Sequence, residues 1–243
     1  MVDVYRVSKA GLKVDLVFGM PRIPQPGSRM YKNLIEALSA DYWIDTNQVL
    51  YRPPQPRLSD AFLELALSDP RVLIQFSYDA LSVTVGSAMG TDPEVIGAIL
   101  EALCNVCSRE MPNEELEGSV YVNYWAHTSI PTTGPSKLLA GFDRKLSVPG
   151  LQVQTVTLRL QHGEPDLADI SIDVGPSKES PNGLFLDYTA FLYKEASSSL
   201  VVVVSEAFKA RAEILEKLNL RSDGDEEFAS WFLTESVRDG QKL

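Results

Sequence analysis

Cys104-Asn105-Val106-Cys107 places two thiols at the spacing of a redox dithiol or of half a zinc site. A redox use calls for a preceding strand in a thioredoxin-like unit, and a zinc use calls for a second ligand pair; the sequence supplies neither. The pair also falls near the C-terminal end of a predicted helix, where the helix dipole disfavours a thiolate. The expectation is therefore two small core residues, with Cys104 mostly buried and metal-free. His127 and His162 are the two histidines of the chain and the natural general bases at neutral pH. Ser129, two residues from His127, permits a nucleophile reading, but its Pro/Thr-rich surroundings lack the strand–turn–helix setting of a nucleophile elbow. His162 stands beside Gly163, Glu164 and Pro165, a plain turn composition. No catalytic role is expected for His127, Ser129 or His162, because the triad geometry that activates a hydroxyl has no visible third member.

Asp169, Ser171 and Asp173 share one face of a predicted strand, and Asp187 holds the equivalent alternation in the next strand. Three carboxylates so placed could hold Mg²⁺ or Ca²⁺. The solvent face of an antiparallel sheet explains the same alternation, so no metal and no cofactor are expected. Gly86-Ser87-Ala88-Met89-Gly90 precedes a helix and Gly134-Pro135-Ser136-Lys137 contains a lysine, yet neither has the glycine spacing of a phosphate loop. Aromatic residues concentrate at 42–51 and at Tyr121-Val122-Asn123-Tyr124-Trp125. The second run alternates cleanly, and Trp125 is expected on the packed inner face of a sheet. The first is less regular and leads into Pro53-Pro54-Gln55-Pro56, so Tyr42, Trp43, Asp45 and Tyr51 are the candidate partner-binding residues.

The elements that must position these groups follow from periodicity. Leu12, Val14, Leu16 and Phe18 alternate with Lys13 and Asp15 as a strand. Ser28 caps a helix to about Ser39, with Tyr31, Leu34, Ile35 and Leu38 on its stripe. Residues 41–57 read as irregular, and Ser59 reads as the cap of a short helix carrying Phe62, Leu63, Ala66 and Leu67. A hairpin spans 71–85 with Asp79 at its turn. Asp92-Pro93-Glu94 supplies an N-cap, a proline at the first helical position and an acid at the positive end of the helix dipole, so a helix is expected to about Arg109. A strand over 119–126, an irregular segment over 127–150 and β-type runs at 151–161, 168–175 and 184–194 come next. Ser198 or Ser199 caps a helix to about residue 218, although Val201–Val204 also suits a strand, and a shorter helix spans about 226–238.

The fold class expected is α+β, antiparallel sheets with long helices packed on them. Each half holds a hairpin followed by a helix, so the chain divides either into two similar lobes from an internal duplication, 1–118 and 119–243, or into one compact domain. At 243 residues with 44% apolar composition, the chain can bury a sizeable core. Thirty-three acids against 22 Lys and Arg give a formal charge of −11, which repels phosphate backbones and anionic lipid. No run approaches the ~20 apolar residues of a membrane span, and the start lacks a secretion signal. A cytoplasmic location without nucleic-acid or membrane partners is expected.

Leu73-Ile74-Gln75-Phe76-Ser77-Tyr78-Asp79-Ala80-Leu81-Ser82-Val83 with its following helix, Val120-Tyr121-Val122-Asn123-Tyr124, and Phe228-Ala229-Ser230-Trp231-Phe232-Leu233-Thr234-Glu235 resemble an uncharacterised, sporadically distributed bacterial family. That resemblance implies two α+β lobes and no activity. The leading functional expectation is a non-enzymatic binding or accessory protein acting through a protein partner or as a homodimer. The alternatives are a small apolar ligand-binding protein with a pocket between sheet and helix, and a hydrolase or metal-dependent enzyme.

Overall fold

The computed structural model describes residues 3–42, 44–67, 71–111, 117–130, 155–160, 167–180, 183–195, 198–223 and 226–239. Its first element, β1 (Asp3–Val17), begins well before the predicted strand and runs for 15 residues. Helix α1 (Arg29–Ser39) follows, with Ser28 accepting a hydrogen bond from the Tyr31 amide as the cap residue should. Strands β2 (Ile44–Arg52), β3 (Phe62–Leu67), β4 (Val72–Ser77) and β5 (Ala80–Val85) lead to α2 (Pro93–Glu110). The second half comprises β6 (Gly118–Ser129), β7 (Val156–Leu160), β8 (Leu167–Pro176), β9 (Leu184–Lys194), α3 (Leu200–Lys217), β10 (Leu220–Ser222) and α4 (Glu227–Asp239).

Nine strands form one antiparallel path in the order β2-β3-β4-β5-β1-β6-β9-β8-β7, and β10 pairs in parallel with the start of β1. The architecture is α+β with a large antiparallel sheet. The two halves meet along β1 and β6, whose register runs from Arg6↔Ser129 to Val17↔Ser119. On either side of that seam lies another strand of the same half: β5 beside β1, and β9 beside β6.

Period-two alternation gives the sheet two unlike faces. Leu12, Val14 and Leu16 on β1 are in register with Val85, Val83 and Leu81 on β5 and with Tyr124, Val122 and Val120 on β6. All of these are buried, and they continue through Leu186, Tyr188 and Ala190 on β9. Helices α2 and α3 cover this inner face, burying Ile99 and Leu103 on one and Val204 and Phe208 on the other in a single apolar cluster.

Local structure departs from expectation at several places. Residues 44–52 are a strand, not an irregular stretch, because Pro53 and Pro54 terminate β2 instead of preventing it. Residues 62–67 are a strand, not a helix: Leu63, Leu65 and Leu67 bury every second side chain between β2 and β4. The cap signal there closes only a 3-10 turn at Leu58–Asp60, where the Arg57 amide donates to the Asp60 carboxylate. Trp125 lies on the outer face, in register with Gly11 and Asp187, and Tyr124 takes the inner position. The ambiguous Val201–Val204 run is helical, with Ser199 accepting from the Val201 amide. Asn219 then adopts a left-handed φ of 55°, which ends α3 and turns the chain into β10.

Candidate functional site

The outer face of the sheet gathers most of the polar groups singled out above. Among the described residues, the helices lie on the inner face only. One lateral row crosses the middle strands as Ser82, Asp15, Tyr121, Phe191 and Asp169, and another as Gly11, Trp125, Asp187 and Asp173. Tyr121 and Phe191 pack with ring centroids 4.5 Å apart, and Tyr121 and Tyr193 are exposed. The Trp125 ring lies across Gly11, where a Cβ would meet its indole carbons at 2.5 Å. Glycine is required there by this close approach.

The three aspartates do not converge. Asp173 and Asp187 are cross-strand partners, whereas Asp169 pairs with Phe191 and lies four residues from Asp173 along β8, or ~13 Å away at a strand's rise per residue. Asn123 donates from Nδ2 to Asp187 Oδ1 at 2.7 Å and to Thr189 Oγ1 at 3.0 Å. The Asp173 Oδ1 atom is buried without a hydrogen-bond partner among the described residues, and so is Asp15 Oδ1, although Lys13 holds the other Asp15 oxygen at 2.7 Å. The facing carboxylates Asp173 and Asp187, with Asp15 and Asp169 on the same face, make this side of the sheet acidic and favourable to cationic donors. Among the described residues, no cluster of three metal-ligating side chains forms.

His127 lies near the end of β6 on the same face. Its Nδ1 is 3.0 Å from Ser177 Oγ, fifty residues away, and not against Ser129. The Ser177 oxygen also accepts from the amides of Glu179 at 3.1 Å and Ser180 at 3.2 Å. With two lone pairs engaged, that hydroxyl can only donate toward His127, and it serves as the cap of the 177–180 turn. Phe185 and Trp125 flank the imidazole, and among the described residues no carboxylate orients it. The arrangement holds the 177–180 turn. His162 lies outside the described residues.

Cys104 and Cys107 sit on α2 inside the core, and Cys104 Sγ is 3.7 Å from the Ser198 carbonyl oxygen. Burial, with a smaller contribution from Cys104, pushes the Cys107 thiol up to about 12. Because the folded value is raised, the stability this thiol contributes is complete below its ordinary range near ~8.5 and is lost as pH climbs toward about 12. A disulfide-exchange reagent at about pH 8 is expected to label Cys107 in native protein at least ~100-fold more slowly than in urea-unfolded protein, since reaction requires opening of the core. Comparable rates would remove Cys107 from the core.

Of the candidate partner-binding residues, Tyr42 lines a groove of about 630 Å³ between α1 and β2, with Tyr31, Ile35, Ile44 and Val49 as its apolar neighbours. Tyr51 is in register with buried Leu63 and turns inward against the core. Trp43 lies outside the described residues, and Asp45 is placed in β2 by its backbone alone. Leu50 of this strand is exposed, and Arg52 sits 4.9 Å above the Phe62 ring.

A buried charged cluster escaped the reading of the sequence. Arg211 on α3 donates from Nη2 to Glu226 Oε1 at 2.6 Å, and the Tyr5 hydroxyl donates to Oε2 at 2.8 Å. The guanidinium lies 4.7 Å from the Tyr124 ring centroid. Burial opposes its charge, but Glu226, helped by Tyr5 and Tyr124, outweighs that and holds Arg211 above its ordinary value. Burial likewise raises the Tyr5 and Tyr124 hydroxyls. The available signal was Arg211 itself, a cation on the apolar stripe of Val204, Ala207, Phe208 and Leu215.

No protein-family model matches the chain, and no curated protein matches it significantly.

Proposed function

We propose that this is a non-enzymatic binding protein that acts through a protein partner, and that the partner presents a basic polypeptide segment to the outer face of the sheet. The observation that carries the reading is the set of carboxylates Asp15, Asp169, Asp173 and Asp187 on that face, interleaved in the lateral rows with the aromatic side chains Tyr121, Phe191 and Trp125. A Lys or Arg docked on this face makes charge-assisted hydrogen bonds to such carboxylates. The aromatic rings supply the apolar contact that concentrates binding energy. A formal charge of −11 steers cationic partners toward the protein. A cytoplasmic setting suits two reduced, buried cysteines. The order of strands about the β1–β6 seam supports reading the halves as two lobes from a duplicated unit, in keeping with the resemblance to a two-lobed bacterial family.

Selection from displayed random linear peptides tests this reading. Recovered sequences are expected to combine Lys or Arg with aliphatic or aromatic residues. The Asp173→Asn/Asp187→Asn variant, still folded, should bind them at least ~10-fold more weakly, because the charge-assisted contacts are lost. Peptides without basic residues, or binding indifferent to both substitutions and to Tyr121→Ala, would sink the proposal. A concentration-dependent dimer mass removed by Leu50→Asp would assign association to the β2 edge and its α1 groove instead. Turnover in a hydrolase screen that His127→Ala abolishes would establish an enzyme.

A further inference from the structure

We propose that the partner is a second copy of this chain, whose exposed loop 52–58 docks on the outer face of the sheet. The inference rests on the reading of that face as a site for a basic polypeptide segment, and it names the occupant. Arg52-Pro53-Pro54-Gln55-Pro56-Arg57-Leu58 closes β2 and leads away from it, and every one of these residues except the half-buried Pro54 is exposed. Two arginines therefore stand at the surface beside prolines and a leucine that is 52% exposed. The prolines restrict the backbone, so ordering this loop on a partner costs little conformational entropy.

The face offers the complementary chemistry. Its lysines Lys13 and Lys9 are held by Asp15 and Glu179. That leaves Asp169, Asp173 and Asp187 against Arg159 on β7. Asp169 is exposed, Asp173 and Asp187 are half-buried, and Tyr121 is 40% exposed, so each is open to an incoming side chain. Guanidinium groups match carboxylates in a two-pronged geometry, and proline-rich segments pack on aromatic rings.

The loop cannot reach the face of its own molecule. Arg52 is in register with Phe62 and lies over its ring, and the Arg57 amide donates to the Asp60 carboxylate at 3.1 Å, so both ends of the loop are tied to β2 and β3. From β2 to β9 the path crosses six strand spacings, or ~29 Å. Loop and face are thus separate patches of opposite charge, which pair two copies reciprocally or join them head to tail.

Sedimentation of the full chain from roughly 5 to 200 µM tests this, with the average mass as the readout. The mass is expected to rise with concentration and to fall back when salt is raised. Arg52→Glu/Arg57→Glu alters the loop and Asp173→Asn/Asp187→Asn alters the face; each should weaken association at least ~10-fold in protein that keeps its circular dichroism. Mixing the two variants should restore association, since one brings an intact face and the other an intact loop, and that recovery shows both to be folded. A wild-type mass fixed at the monomer overturns the second copy as partner, and so does a mixture that stays monomeric. Association that survives the arginine changes but is lost in Leu50→Asp also overturns it, placing the contact on the β2 edge. A synthetic peptide of residues 52–58 separates this failure from that of the face itself. If it binds a monomeric chain and Asp173→Asn/Asp187→Asn weakens it, the face keeps its basic segment and the partner is another protein. If neither it nor any displayed basic peptide binds, both readings fall.

Discussion

Glu226→Ala is expected to destabilise the protein by about 3–5 kcal/mol, a large share of a small protein's total stability. Arg211 is 3% exposed and is held charged by the carboxylate it faces, so deleting that carboxylate strands a guanidinium inside the core. The Tyr5 hydroxyl loses its acceptor in the same step. Removing both members of the pair is a different matter. Arg211→Met with Glu226→Leu replaces two desolvated charges by apolar volume, and it should recover most of the loss, because a buried ion pair gains little over a well-packed hydrophobic substitute. Urea unfolding at constant denaturant slope measures both effects. A Glu226→Ala loss below about 1 kcal/mol would mean that Arg211 reaches solvent by a path the structure does not contain.

Gly183→Ala should cost at least about 3 kcal/mol, although alanine for glycine in a turn often stabilises by about 0.4–1 kcal/mol through the unfolded chain. A Cβ at residue 183 would overlap the backbone carbonyl of Thr128 and come within 2.9 Å of the Ser180 Cβ. Neither neighbour is the end of a flexible side chain, so the strands themselves must part. The junction that opens is a buried one. Thr128 Oγ1 donates to the Leu184 carbonyl at 3.1 Å and accepts from the Leu184 amide at 3.2 Å. Gly27 provides the contrast, since a Cβ there meets nothing within 4 Å; Gly27→Ala should fall within about 0.5 kcal/mol of the parent. Thermal unfolding of the two variants side by side decides the point, and equal midpoints would refute the crowding at 183.

What the sequence disclosed follows the range of the interactions involved. Asp92-Pro93-Glu94, Ser28 and Ser199 are local devices, and each caps the helix it announces. The alternations in β1, β4, β5, β6 and β9 are local too, and they identified strands whose partners were unknown. Strand β3 failed because Leu63, Leu65 and Leu67 compete with a helical spacing over the same residues, and only the neighbours β2 and β4 decide between them. The side of the sheet taken by Trp125 depended on its cross-strand partners Gly11 and Asp187 in the same way. The site groups were legible as residues but not as a constellation. His127 meets Ser177 and not nearby Ser129, Asp173 meets Asp187 but not Asp169, and Arg211 meets a glutamate fifteen residues on. Register and helix placement make those pairs, and neither is written in spacing along the chain.

The position of β1 has a consequence for the birth of the protein. Strand β1 is paired to residues 80–85, to 119–129 and, at its very start, to 220–222, all of which are synthesised after it. At about 5–20 residues per second, the ribosome delivers the last of these partners roughly 10–40 s after β1 has been made. Until residues 119–129 emerge, Leu12, Val14 and Leu16 have only part of their final strand neighbours. One long edge of a 15-residue strand is then open to any other nascent chain, and its first residues, 3–5, wait longest. Long-range pairing of this kind also slows spontaneous refolding. Shielding that waiting strand is expected to raise the yield of folded protein in a cell.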